Sequence, residues 1–118
     1  MAISHPGEEL RGDHGPFPGS LSLVIVRQSG EVVCHARGSM DRTHAAMLER
    51  RLGDLAREAA DRVVIDLSDV EYIGASGITA LLFARAIGEE RGRPVVIRNH
   101  PEHAVALLAE AGLLDLAV

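Results

Sequence analysis

The spacing of hydrophobic positions changes along the chain, and each change marks an element. Residues 21–27 and 31–37 are short runs rich in Leu, Val and Ile, joined through Gln28-Ser29-Gly30. Two such runs with glycine at the join predict a β-hairpin. Gly38-Ser39-Met40-Asp41 then reads as the end of the hairpin. Over residues 43–60 the period lengthens. Leu48, Leu52, Leu55 and Ala59 recur at spacings of four, three and four, which puts them on one face of a helix. Arg50, Arg51, Asp54, Arg57 and Glu58 fall on the other side as a solvated face. Asp41 or Thr43 suits the N-cap.

Val63-Val64-Ile65-Asp66-Leu67 has no strict alternation, the pattern of a strand covered by helices. A short turn follows, in which Asp69 bonds nearby backbone. After a second apolar touch, the Ser76-Gly77 step opens a helix to about residue 90, ended by Gly92. Arg93-Pro94 leads into a strand at 95–98. Pro101 suits the first position of a last helix, capped by Asn99 or His100. Val105, Leu108 and Ala109 would face inward there, with Gly112 as a left-handed stop and Leu113-Leu114-Asp115-Leu116 packing back on the body. Residues 1–20 carry Gly and Pro but few large apolar side chains, so they are expected as a flexible tail before one domain at 21–118. The order β-β-α-β-α-β-α predicts an α/β fold: a mixed sheet of about four to five strands, its parallel pairs made by crossovers, with helices packed on it.

Composition narrows the function. The 118 residues suit a single domain, and 47% of them are hydrophobic. Only 3% are aromatic (Phe17, Tyr72 and Phe83), so the core is aliphatic. Few aromatics and a net charge of −5 argue against a nucleic-acid partner. No apolar run approaches the roughly 18–20 residues of a membrane span, and no signal-peptide segment opens the chain. The lone Cys34 excludes an internal disulfide framework and fits a reducing cytoplasm. It reads as a small apolar filler in its strand rather than a reactive thiol.

Candidate chemistry centres on Ser76. A hydroxyl at a helix start is either an N-cap or a place where a phosphate sits comfortably. A hydrolase elbow needs Gly-x-Ser-x-Gly, and Ile78 breaks that pattern. Glu89, Glu90, His100 and His103 follow in an order common by chance, so no enzyme is expected. His100 and His103, with Glu102 between them, read as a cap and a surface residue rather than metal ligands. Gly74 and Gly77 lack the lysine and spacing of a phosphate-cradling loop. Neither metal nor cofactor is expected.

Three blocks in order carry a resemblance: Gly38-Ser39-Met40-Asp41; Val63-Val64-Ile65-Asp66-Leu67-Ser68-Asp69-Val70; and Gly74-Ala75-Ser76-Gly77-Ile78 followed by Leu81-Leu82. Ala111-Gly112-Leu113 adds a fitting close. Over about residues 21–118 the chain resembles the STAS domain, and within it the stand-alone bacterial anti-sigma-factor antagonists. The resemblance implies phosphorylation at Ser76 by a partner anti-sigma factor with serine-kinase activity, which supplies the ATP. The unphosphorylated antagonist binds that partner and frees a sigma factor; phosphorylation ends the binding. The partner surface so implied combines Ser39, Met40, Asp41, Gly74, Ala75, Ser76, Gly77, Thr79 and Phe83, with Phe83 open to a core reading as well. Asp66 is expected as a loop-orienting group near Ser76. The chain departs from the family where Asp-Ser-Ser-Gly becomes Gly74-Ala75-Ser76-Gly77. A cytoplasmic monomer or weak homodimer without membrane insertion is expected. The rivals are an accessory subunit of a lipid ABC transporter and a stressosome-like sensing module.

Overall fold

The computed structural model describes residues 8–11 and 19–114. Its elements are β1 (Glu8–Arg11), β2 (Leu21–Gln28), β3 (Glu31–Met40), α1 (Ala45–Arg57), β4 (Arg62–Ile73), α2 (Ala75–Glu90), β5 (Val95–Arg98) and α3 (Val105–Glu110). Short 3-10 turns, Arg42–His44 and Glu102–Ala104, lead into α1 and α3. The sheet order is β1-β2-β3-β4-β5. The first two pairings are antiparallel and the last two parallel, as the crossovers through α1 and α2 require.

The hairpin forms as expected. Gln28 pairs with Glu31, leaving a two-residue turn in which Ser29 and Gly30 both have positive φ, 52° and 78°. That is the turn whose twist matches the flanking strands. Glu8–Arg11 corrects the expectation of a tail throughout 1–20. It pairs with β2, from Glu8 opposite Ile25 to Arg11 opposite Ser22. An edge ladder is made by backbone groups, so the composition of the segment did not disclose it.

Two other boundaries move. β3 does not stop at residue 37 but runs on to Met40. A Cβ on Gly38 would stand 2.1 Å from the Ser20 carbonyl oxygen, so glycine is what lets the chain pass there. Ser39 then donates its N–H to that same carbonyl at 2.9 Å. β4 likewise continues through the expected turn at Ser68-Asp69 as far as Ile73. It does so with two bulges. Between the His35–Asp66 and Arg37–Asp69 pairs, and again between Gly38–Val70 and Ser39–Tyr72, β4 spends one residue more than β3. Asp69 is therefore a strand residue and not a turn residue.

On one face of the sheet Leu21, Leu23 and Ile25 join Val32, Cys34, Ala36, Val63, Ile65, Leu67, Val95 and Ile97 in the main core with the helices. Val33, Val64 and Val96 form a row on the other face. β4 is thus apolar on both faces, which is why it lacks alternation. Helix α1 buries Leu48, Leu52, Leu55 and Ala56. It ends at Arg57, so the expected inward Ala59 lies beyond it and is exposed. At the C-terminal end Pro101 itself holds the N-cap position, with no side-chain bond from Asn99 or His100. Ala104, Leu108 and Leu113 are the buried residues there, while Val105 and Ala109 face out. Gly112, at φ 74°, ends α3 as expected.

Candidate functional site

β3 and β4 end side by side, and α2 starts at that point. Gly74 donates its N–H to the Met40 carbonyl at 3.1 Å, which fixes the turn against the end of β3. Gly74, not Ser76, is the N-cap of α2, and no side chain caps the helix. Ser76 is therefore the second helical residue, which overturns the reading of its hydroxyl as the cap. It is half-buried, and its hydroxyl bonds to no described residue. No acidic residue stands in the first turn of α2. The unpaired N–H groups and dipole of this 16-residue helix thus favour negative charge beside Ser76.

Ser76 opens into a cleft of about 410 Å³ lined by Asp41, Arg42, Thr43, Tyr72, Gly74 and Ala75. Asp41 caps the turn before α1, its carboxylate accepting from the Thr43 N–H at 3.0 Å. Beneath it lies His44, fully buried, whose Nε2 donates to the Gly19 carbonyl at 2.6 Å. A second depression of about 300 Å³ continues along α2 to α3, lined by Ala75, Ile78, Thr79, Leu107, Glu110 and Ala111. The two share Ala75 and together make one surface around the start of α2.

The expected site residues divide. Asp41, Gly74, Ala75, Ser76 and Thr79 come together on this surface. Met40 does not: it is 0% exposed, in the main core. Gly77 is buried against it, since a Cβ there would stand 2.8 Å from the Met40 Cβ. Ser39, 8% exposed, is strand rather than loop. These three are buried and lie beneath the surface rather than on it. Phe83 is 40% exposed, so it is not core, but it borders Ala46, Glu49, Arg50, Asp54 and Arg57 between α1 and α2. It lies almost two turns along α2 from Ser76.

Asp66 orients a different loop. Its Oδ1 accepts from the Ser68 N–H at 2.9 Å and the Asn99 amide at 3.3 Å, and Oδ2 lies 3.2 Å from His35 Nδ1. Those contacts hold the first bulge of β4 and the end of β5; six strand residues separate it from Ile73. Burial pushes its carboxyl up, but the bonds from Ser68 and Asn99 and the nearby His35 outweigh this and hold it below the usual range. Cys34 is fully buried, and burial pushes its thiol up to about 12, which makes it a filler. His103 Nε2 bonds to the Val70 carbonyl at 3.2 Å, and no described group of three His, Cys, Asp or Glu is placed to hold a metal.

Tyr72, Arg42, Thr43 and Leu107 line this surface and are residues that sequence reasoning missed. Tyr72 carried one usable signal, an aromatic two residues before the glycine of the turn in a chain that has almost none.

A family model described as "Mlab, STAS domain" matches residues 24–117. The Anti-sigma-F factor antagonist RsfB of Mycobacterium tuberculosis is 32% identical over 78 residues, 66% of this chain and 62% of that protein. The chain thus spans less than two thirds of that relative's length. A crystal structure of an anti-sigma factor antagonist from Mycobacterium paratuberculosis superposes with a TM-score of 0.70 at 28% identity, over 84% of each chain. The anti-sigma factor antagonist SpoIIAA in its unphosphorylated form gives a TM-score of 0.71 at 12% identity, over 81% of this chain and 85% of that one. At that identity the likeness shows the fold.

Proposed function

We propose that this chain, which belongs to the STAS domain family, acts as an anti-sigma-factor antagonist switched by phosphorylation at Ser76. One observation carries the reading: a half-buried serine in the first turn of α2, its hydroxyl bonded to no described residue, open to the cleft between the Asp41 turn and Tyr72. The names of the relatives it matches support the same role.

The physical logic is a difference between the free and bound states. A phosphate on Ser76 adds about −1.5 to −2 charges and three acceptor oxygens. In the free chain the start of α2 and Arg42 on the cleft wall accommodate that charge. A partner seated over the cleft takes the same volume and brings the phosphate up against its own surface, so the complex is weakened and the fold is not. The partner is an anti-sigma factor with serine-kinase activity, which brings the ATP. The antagonist contributes a hydroxyl and a surface without catalytic groups of its own, as a cytoplasmic monomer or weak homodimer. Among the described residues no helix is long and apolar enough to cross a membrane.

The test is capture from native lysate with the full chain as bait, followed by intact mass of the bait with and without ATP. An anti-sigma factor in the eluate and one phosphate on Ser76 are the expected results. Recovery of a transporter ATPase instead would move the chain to the lipid-transport role, and a larger sensory assembly would move it to the stressosome-like one.

A further inference from the structure

Tyr72 and Gly74 are sterically interlocked. A Cβ on Gly74 would stand 2.8 Å from the Tyr72 hydroxyl and 3.1 and 3.2 Å from ring atoms Cε2 and Cζ. The backbone gives no other reason for glycine, because φ is −103° and ψ −170°, an extended conformation open to any residue. A side chain at 74 would have to displace the phenol end of Tyr72, which takes that space.

A second feature, independent of the glycine, brings the ring there. Ordinary alternation would put Val70 and Tyr72 on the same face, toward the core. The bulge between the Gly38–Val70 and Ser39–Tyr72 pairs adds Glu71 to β4 and reverses the phase. Ile73 enters the core, and Tyr72 turns outward, 53% exposed. The chain has three aromatic side chains, Phe17, Tyr72 and Phe83. One of them is thus delivered, by a bulge and a missing side chain, to the wall of the cleft that holds Ser76. Interfaces concentrate binding energy on such residues, because tyrosine offers a large rigid area at the cost of few torsions.

We infer that Tyr72, seated over Gly74, is the specificity-determining anchor of the partner surface. This rests on the antagonist reading, and the occupant is the anti-sigma factor named there. To reach the Ser76 hydroxyl that partner has to accept the ring in a pocket of its own. Glu71 beside the ring is exposed, and Asp41 and Arg42 line the same cleft, so the partner's pocket is bordered by basic side chains facing Glu71 and Asp41 and by an acidic one facing Arg42.

The test is calorimetric titration of the purified anti-sigma factor into the full chain and three variants. Tyr72→Ala is expected to weaken binding roughly tenfold or more. Gly74→Ala, which displaces the ring without removing it, is expected to weaken binding by a smaller factor. In the double variant the Gly74→Ala effect should vanish, since its target is gone. Tyr72 is the chain's single tyrosine and there is no tryptophan, so emission from the free chain reports on this ring alone. Gly74→Ala should make it more accessible to acrylamide quenching. A wild-type complex that Tyr72→Ala leaves intact would overturn the anchor. A Gly74→Ala effect that persists without the ring, or an unchanged quenching constant, would overturn the interlock. No complex with the wild-type chain would overturn the antagonist reading itself, and the anchor with it, whatever the quenching shows.

Discussion

The Cβ that Gly77 lacks would stand 2.8 Å from the Cβ of Met40 and 3.0 Å from its carbonyl oxygen. The first turn of α2 therefore lies directly on the last residue of β3, the residue whose carbonyl also accepts from Gly74. Gly77→Ala forces helix and strand apart, and overpacking at such a contact costs about 1–3 kcal/mol. Urea unfolding should show that loss as a lower midpoint with unchanged slope. The same variant should bind the partner less well than its stability predicts, because the displaced turn carries Ser76.

Ser76 separates stability from binding. Its hydroxyl bonds to no described residue, so Ser76→Ala should change stability by no more than about 0.5 kcal/mol. Ser76→Glu places an acid in the first turn of α2, where the dipole stabilises it by about 0.3–1 kcal/mol. Thermal melts should therefore rank Ser76→Glu at or slightly above wild type. Affinity for the anti-sigma factor should run the other way, with Ser76→Ala unimpaired and Ser76→Glu weakened. A Ser76→Glu chain that binds as tightly as wild type would sink the switch.

How much of this could be read from the chain depends on whether the cause was local. The 28–31 hairpin, the Gly92 and Gly112 stops and the Leu48, Leu52 and Leu55 face of α1 are set by neighbours in sequence, and they were legible. The length of β4 was not, because Ser68 and Asp69 look like a turn until β3 is known to extend beside them. Met40 looked like loop for the same reason: Gly38-Ser39 reads as punctuation, while pairing with β4 carries Met40 into the core. The Ser76 turn was visible in its own tetrapeptide. Tyr72 was not, since its exposure follows from a bulge set by pairing and from a side chain that Gly74 does not have.

Asp66 gives the fold an acid-sensitive joint. Its carboxyl titrates below its ordinary value, so the folded state binds a proton there less readily than the unfolded one. A group lowered in this way contributes stability above the unfolded pKa and loses it as pH falls through the folded pKa. The wild-type chain should thus lose stability below about pH 4, the ordinary carboxylate range. Asp66→Asn keeps an acceptor for the Ser68 N–H but removes the charge facing His35. It should cost about 1 kcal/mol at pH 7 and flatten the acid limb of stability against pH. Urea midpoints measured from pH 3 to 7 on both chains check this; parallel acid limbs would show that Asp66 is not the titrating group.

Cys34 turns the core into its own reporter. The thiol lies inside the main cluster between β2 and β4, and burial pushes its pKa up to about 12. At pH 8 the thiolate fraction of the folded state is then about 10⁻⁴, against a substantial fraction for an ordinary free cysteine. Two barriers, absent thiolate and absent access, act together, and both disappear only when the sheet opens. A thiol reagent at pH 8 should leave the native chain unlabelled and label it fully in urea, with the native labelling rate tracking global stability. Gly77→Ala should therefore label faster and Ser76→Ala at the wild-type rate. Rapid labelling of the wild-type chain without denaturant would mean that β3 opens locally, and the packing of Met40 and Gly77 at its far end would then have to be loose as well.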